Sequence, residues 1–383
     1  MIHNLVIADD LTGAAEMAGI TFSYGFSVKI ISGKINHNIS DEEVIIINTD
    51  SRNCDKEEAS QIVKDIFKTL PLAEDVFIYK KTDSLLRGNI EQEINSIFSV
   101  SSFHSSILIP ANPGKTRTIR NSEYLIGNIP IDQTVYRLDP EYPRKKSNVK
   151  DLIKDSSDKI VTGKSLKKLK QGEILVPDIT STDDINKIIK KGIPDKTLPA
   201  GGADFFTELI KQRHQDKKQD KKEAFSYPDN KCFLIGSYSH ISRQDTQTLD
   251  KAGYRIFKLP FKENHSFKEF EDWKKDLLDY SKKHNQLIIS VPDDYIEGEE
   301  LQGDLVDYLG GVAADIAEKE KDAFHFLITG GRTASTFCRK MKWEQLSVIH
   351  VLDSGVITLK SHKSNHYLTI KPGSYPWPAS VLK

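Results

Sequence analysis

Cysteine is scarce in this chain: Cys54, Cys232 and Cys338 are the only three in 383 residues. They are odd in number, far apart and without paired ligand spacing. That excludes a disulfide framework or a cysteine-held metal, and a reduced, cytoplasmic setting is expected. No apolar run approaches the ~18 residues of a membrane span, and the first residues enter a strand without the basic start and apolar core of a signal peptide. Neither sign of charge is in excess: 54 Lys and Arg stand against 55 Asp and Glu, for a net charge of −1. No global field therefore draws nucleic acid, and neither nucleic acid nor membrane is an expected partner. Missing too are the Walker-type Gly-x-x-x-x-Gly-Lys-Ser/Thr, a Gly-x-Gly-x-x-Gly opening a strand–helix unit, His-Glu-x-x-His and the Gly-x-Ser-x-Gly elbow.

What the chain does have is apolar content of 38%, enough length for two domains, and a rhythm of strands and helices. It opens with Leu5-Val6-Ile7-Ala8, a short apolar run that reads as a buried parallel strand. The run stops at Asp9-Asp10 and a Thr-Gly turn, and helix is expected from Ala14. In open α/β sheets, ligands bind outside the carboxyl ends of the strands, which places Asp9 and Asp10 at a binding edge. Successive side chains on extended backbone point apart, so one aspartate can face a ligand while the other caps the helix.

The same pattern recurs. Val44 to Asn48 ends in Thr49-Asp50-Ser51-Arg52, Val76 to Tyr79 ends in Lys80-Lys81-Thr82-Asp83-Ser84-Leu85-Leu86-Arg87, and Ser106 to Ile109 runs into Pro110-Ala111-Asn112. Glu57 to Leu70 and Ile90 to Phe98 have helical spacing between them. The βαβ alternation predicts a mostly parallel sheet with helices on both faces. Parallel strands would bring the four polar ends to one edge. Arginine forks and lysines there suit a carboxylate or phosphate, and aspartates accept hydrogen bonds from hydroxyls, so a small polyhydroxylated anion is the expected ligand. Surface salt bridges and caps are the alternative.

The stretch from Lys211 to Lys222 holds almost nothing apolar and is read as a solvated linker. It divides the chain into an N-terminal domain, 1–222, and a C-terminal domain, 223–383. The second half restarts at Lys231 to Ile235, followed by Gly236-Ser237-Tyr238-Ser239. Phe324 to Thr329 enters Gly330-Gly331-Arg332-Thr333, Val348 to Leu352 leads to Asp353-Ser354-Gly355, and His366 to Ile370 leads to Lys371-Pro372-Gly373. Glycines between a strand and a helix N-terminus let backbone N–H groups approach an anion, the layout of a nucleotide phosphate cradle. Turns take glycine as well. The predicted fold class is thus α/β, with two domains, each a mostly parallel sheet flanked by helices.

These residues resemble the four-carbon acid sugar kinases. The matching stretches are Ile7 to Gly13, Asn48 to Arg52, Tyr79 to Asn89, Pro110 to Pro113, Gly127 to Ile131, Asp139-Pro140, Gly236 to Ser239 and Gly330 to Ala334. The resemblance implies an N-terminal domain that binds the acid sugar, a C-terminal domain that binds ATP, and phosphoryl transfer between the two ligands. Carried over by position, substrate contacts fall on Asp9 or Asp10, Arg52, Lys81, Thr82, Asp83, Ser84 and Arg87. Asp9, Asp10, Lys81 and Asp83 are the catalytic candidates. Nucleotide contacts fall on Ser237, Ser239, Gly330, Gly331, Arg332, Thr333, Gly355 and Gly373. An aspartate would orient or deprotonate the hydroxyl, a lysine or arginine would stabilise the transferred phosphoryl, and Mg²⁺ would bridge phosphate oxygens. No metal ligands are assigned. The implied reaction is ATP-dependent phosphorylation of a threonate- or erythronate-like acid on its terminal hydroxyl, and a homodimer is compatible with it.

Two places depart from the family's pattern. Arg332 stands where an acidic residue usually follows the paired glycines, and Lys371 to Pro376 replaces a Lys-x-Gly-Gly-Phe-Gly-like segment. They motivate a second reading: a weakened homologue that binds a sugar acid without efficient phosphoryl transfer. A phosphatase with an aspartyl nucleophile needs aspartates two apart at the strand end, whereas Asp9 and Asp10 are adjacent.

Overall fold

The structure, a computed structural model, describes residues 1–33, 42–139, 141–154, 156–163, 169–213, 225–236, 240–260, 267–291, 302–373 and 375–382. Residues 214–222 of the expected linker lie outside the described residues. The chain divides into two compact units, Met1–Gln219 and Asp220–Lys383.

The first unit is built from the predicted alternation. Strands β1 (Ile2–Ala8), β2 (Val28–Ser32), β3 (Val44–Asn48), β4 (Leu72–Lys81) and β5 (Ser105–Ile109) carry near-continuous apolar runs because the sheet is covered on both faces. A small antiparallel sheet follows: β6 (Arg117–Arg120), β7 (Glu123–Ile126) and β8 (Ile129–Pro130), with the expected turn at Gly127-Asn128 between the last two. Then β9 (Ile160–Gly163), β10 (Ile174–Pro177) and β11 (Thr197–Gly201) return to the main sheet. Its order is β2-β3-β1-β4-β11-β5-β10-β9, and every neighbouring pair is parallel.

Helices α1 (Leu11–Ser23), α2 (Lys56–Thr69), α3 (Ile90–Val100), α4 (Val149–Leu152), α5 (Thr182–Lys190) and α6 (Ala203–Arg213) connect these strands. In α2 the buried residues Ala59, Val63 and Ile66 repeat at helical spacing, and Asp55 caps the first turn through the Glu58 N–H. Helix α2 packs against α3, while α1 and α5 pack against α6.

In the second unit, β12 (Asn230–Ile235), α7 (His240–Lys251), β13 (Arg255–Lys258), α8 (Phe267–Ser281), β14 (Gln286–Ser290), α9 (Gln302–Lys319), β15 (Phe324–Thr329) and α10 (Gly331–Lys340) alternate. They are followed by β16 (Gln345–Asp353), β17 (Val356–Lys360) and β18 (Tyr367–Lys371). The order is β13-β14-β12-β15-β18-β17-β16, parallel as far as β18. Strand β17 then runs antiparallel to both neighbours, closing a hairpin at Gly355. The sequence pattern does not announce a strand at Val356–Lys360. That run is a return strand whose start is hidden by its tight turn. The core of this unit gathers Phe233, Leu249, Tyr254, Ile288, Leu327 and Trp377.

Candidate active site

Strand register fixes the first site. Ala8 at the end of β1 lies level with Asn48 of β3 on one side and Lys81 of β4 on the other. The residues that follow, Asp9-Asp10, Thr49 to Arg52 and Thr82 to Arg87, therefore leave the sheet at one edge. There they interlock. Arg52 donates Nε to Asp9 Oδ2 at 2.8 Å and Nη2 to Asp9 Oδ1 at 3.0 Å, then reaches Asp10 Oδ2 with Nη1 at 2.9 Å. It also faces Asp83 at 3.8 Å. Arg87 repeats the side-on fork on Asp83, with Nε to Oδ2 at 2.8 Å and Nη2 to Oδ1 at 3.0 Å, and approaches Asp139 at 3.5 Å.

Asp10 caps α1 by accepting from the Gly13 N–H at 2.8 Å, and Thr12 donates its hydroxyl to the same carboxylate. Two glycines keep this room. A Cβ on Gly13 would sit 2.8 Å from Asp10 Oδ1, and one on Gly88, which has φ +91°, would meet Arg52 and Asp9 at 3.3 Å.

The pairing sets the protonation states. Burial opposes the charge on Asp9, but the charge and hydrogen bonds of Arg52 prevail and hold its carboxyl below the ordinary value. Asp83 is likewise pushed upward by burial and held well below the ordinary value by Arg87 and Arg52. Burial works against the Arg52 guanidinium, yet Asp10, Asp9 and Asp83 raise its pKa well above normal. Among these aspartates Asp10 is the most open, its side chain 13% exposed against 4% for Asp9 and 9% for Asp83.

Beneath the cluster Lys80 is fully buried, paired with Glu93 at 2.6 Å and donating to the Lys81 carbonyl at 2.9 Å. Lys81 lies against Gly13 at the start of α1 and pairs with Glu16 at 3.4 Å. The Thr82 hydroxyl is buried and has no hydrogen-bond partner among the described residues. Ser84 accepts from Arg117 through its hydroxyl, and from Tyr124 through its carbonyl. The fourth strand end does not join. Strand β11 separates β4 from β5, and Asn112 instead accepts from the Asp204 N–H at 3.0 Å. Gly201 of β11 makes that insertion possible, since a Cβ there would lie 2.0 Å from the Ile109 carbonyl oxygen.

Three groups near this edge were missed from sequence: Arg117, Tyr142 and Arg144. They come from the segment around the small sheet, where the periodicity is weak. Tyr142 donates its hydroxyl to the Arg52 carbonyl at 2.7 Å, and the Arg144 guanidinium lies over its ring at 5.7 Å. Asp139-Pro140 is the one sequence signal in that loop. Asp139 pairs with Arg87 and accepts from the Tyr142 N–H at 2.8 Å.

In the second unit Ile235, Ser290, Thr329 and Lys371 stand level at the carboxyl ends of β12, β14, β15 and β18. Gly330, with φ +99°, turns the chain into α10, and its N–H donates to the Lys371 carbonyl at 2.9 Å. A Cβ on Gly236 would meet the Thr333 hydroxyl at 2.9 Å, so these two ends are closely apposed. Thr333 is buried, while Arg332 is exposed. Gly355, with φ +78°, sits in the β16–β17 hairpin, and that turn alone accounts for a glycine. Ser237 and Ser239 lie outside the described residues.

The departure after Lys371 is a turn, Tyr375 N–H donating to the Pro372 carbonyl at 3.1 Å, and Gly373 lies inside it. The turn returns the Tyr375 carbonyl to Lys371 Nζ at 2.6 Å, and Asp245 lies 3.5 Å away. Burial pushes the Lys371 ammonium down to about 8 against the pull of Asp245.

A family model described as the sugar-binding N-terminal domain matches residues 4–209. A D-threonate kinase of Bordetella bronchiseptica is 28% identical over 154 residues, which cover 39% of this chain and only 38% of that protein's length. A 3-oxo-tetronate kinase of Haemophilus influenzae is 21% identical over 402 residues, covering 97% of this chain and 96% of that one. A Salmonella typhimurium protein of known structure gives a TM-score of 0.74 at 18% identity, covering 98% of this chain and 96% of that one; at that identity the likeness speaks for the fold alone.

Proposed function

Since this chain belongs, through residues 4–209, to the family of the sugar-binding N-terminal domain, we propose that it is an ATP-dependent kinase of a four-carbon sugar acid. The phosphoryl group goes to the terminal hydroxyl of a threonate- or erythronate-like substrate. The observation that carries this reading is the interlocked set Asp9, Asp10, Arg52, Asp83 and Arg87 at the ends of β1, β3 and β4. Carboxylates for hydroxyls and cations for an anion stand side by side, and the names of the D-threonate and 3-oxo-tetronate kinases agree with it.

Phosphoryl transfer asks little covalent chemistry of the protein and much positioning. Aspartates held ionised by arginine are suited to positioning, because they orient a hydroxyl and accept its hydrogen bond. Asp10, the most open of the three, is assigned to the reacting hydroxyl, with Asp9 bracing Arg52. Lys81, Thr82, Ser84 and Arg87 line the same edge as sugar contacts, and Lys81, a buried point charge held by Glu16 and the Thr82 carbonyl, is assigned to the transferred phosphoryl. The second unit takes ATP, its phosphates at the N–H groups that open α10, Gly331 to Thr333, with Gly330 as the turn before them, and near Gly373.

Among the described residues no three His, Cys, Asp or Glu side chains are placed to hold a metal ion together. Mg²⁺ carried on the nucleotide's phosphates and water would neutralise phosphate charge. No helix among the described residues is long and apolar enough to cross a membrane. The three cysteines are free thiols, in keeping with a cytoplasmic setting.

The test is ADP release from ATP and Mg²⁺ across a panel of four-carbon sugar acids, with Asp10→Asn alongside. Turnover that depends on one acid and falls about a hundredfold or more in the variant is expected. A second reading, sugar-acid binding without efficient transfer, is favoured by the engagement of Lys371 with Asp245 and Tyr375. Calorimetric binding of the acid and of ATP, with no ADP formed, would select it.

A further inference from the structure

Of the arginines at the first site, Arg52, Arg87 and Arg144 can be compared by the side-on edge formed by Nε and Nη2. On Arg52 that edge is filled by Asp9, and on Arg87 by Asp83, in both cases at 2.8 and 3.0 Å. Arg144 offers the same edge with nothing on it. Its Nη1 donates to the Leu152 carbonyl at 3.0 Å, whereas Nε and Nη2 are buried without a hydrogen-bond partner among the described residues. The residue is only 6% exposed, so water does not satisfy those donors freely.

A buried guanidinium with two unused parallel donors is costly unless a partner arrives. Burial lowers the Arg144 pKa from its ordinary value, while Asp83 and Asp139 act to raise it and Arg87 to lower it, which places the group within the field of the same cluster. Tyr142 anchors it there, its ring under the guanidinium and its hydroxyl on the Arg52 backbone.

We propose that Arg144 receives the substrate's carboxylate in a bidentate fork through Nε and Nη2, and so sets the preference for a sugar acid over the uncharged sugar alcohol. This rests on the sugar-acid kinase reading. Arg52 and Arg87 already engage their forks on the protein's own aspartates, and they hold the site together. Arg144 is the specificity residue, because a planar fork matches a carboxylate where a lysine point charge does not.

The experiment compares four-carbon aldonates with the matching tetritols, by kcat/KM and by calorimetric binding, in the wild type, Arg144→Lys and Arg144→Met. The wild type is expected to prefer an acid by at least about tenfold. In both variants the KM for the acid should rise tenfold or more with kcat largely kept, as for an interaction made equally in ground and transition states, while KM for ATP stays the same. If Arg144→Met fails to fold, Arg144→Lys, which keeps a donor for the Leu152 carbonyl, carries the comparison. Guanidinium ion added to Arg144→Met should restore part of the acid affinity. An unchanged acid-to-alcohol ratio in folded variants overturns the assignment of Arg144 and leaves the kinase standing. A wild type that neither binds nor phosphorylates any four-carbon acid overturns both.

Discussion

The two units present the same kind of edge, the carboxyl ends of parallel strands, and equip it in opposite ways. In the first, long charged side chains from neighbouring strand ends fill one another's hydrogen-bonding positions: Arg52 on Asp9 and Asp10, Arg87 on Asp83. In the second, the described residues at the edge are mostly backbone and glycine with a buried cation, Lys371, only loosely matched to Asp245 at 3.5 Å. A charged edge can recognise a ligand's groups one by one but depends on every member. A backbone edge recognises phosphate geometry and depends on small residues where chains approach, as at Gly236 beside Thr333.

The contrast is broken most forcefully at Arg52. Arg52→Ala strands Asp9 and Asp10 as buried carboxylates without their cation, and urea unfolding of the first unit should show a loss of about 3–5 kcal/mol along with activity. Lys371→Met should cost far less, within about 1 kcal/mol. Burial already disfavours the Lys371 charge, and Asp245, whose pKa burial raises, can take a proton once its partner is gone. Equal losses from the two substitutions would erase the difference drawn here.

Titration sharpens it further. Asp9 and Asp83 have folded pKa values below the ordinary 3.8, so their contribution is present above that pH and lost as pH falls below it. For Lys371 the folded pKa is also lowered, so the slope has the same sign but lies in a higher pH range, where it relieves a cost rather than adding a favourable pair. Between about 8 and the ordinary 10.5 the unfolded chain holds a proton that the folded one has released. Stability therefore rises across that window, by at most about 3 kcal/mol, and Lys371→Met should abolish the rise in a comparison with the wild type. The smallest effect is at Gly355. With φ +78° in a hairpin, Gly355→Ala should cost about 1 kcal/mol in thermal unfolding and leave ATP affinity unchanged; a fall in ATP affinity would show that this glycine contacts the nucleotide.

Much of the first edge was legible in the sequence because each strand there is a continuous apolar run that stops abruptly at polar residues, and parallel pairing leaves those stops level. Asp9, Arg52, Asp83 and Arg87 converge for that reason. Asn112 shows the limit: its strand has the same signature, but β11, far along the chain at Thr197–Gly201, comes between β4 and β5. Nothing local to Ile109 or Lys81 announces that neighbour. Arg117 and Arg144 were hidden differently, in a segment whose short strands pair across turns and whose side chains gain meaning only through Ser84 and Tyr142. In the second unit the glycines were visible, but whether a glycine serves a turn or a ligand is decided by three-dimensional neighbours, as Gly355 and Gly236 illustrate.

The place of β11 also governs the order in which the first unit can assemble. An inner strand of its sheet is the last one the ribosome delivers: the Tyr79 hydroxyl bonds to the Gly202 carbonyl 123 positions later, and Ser105 meets Thr197 across 92. Until that strand emerges, β4 and β5 each carry an open edge of unpaired backbone groups, with β1 already available to pair on the other side of β4 and β10 on the other side of β5. Long-range pairing of this kind folds slowly and leaves sticky edges exposed in the interim. The nascent chain must hold a gap open for its final inner strand, and a protein truncated before Thr197 would be an aggregation-prone fragment of a sheet.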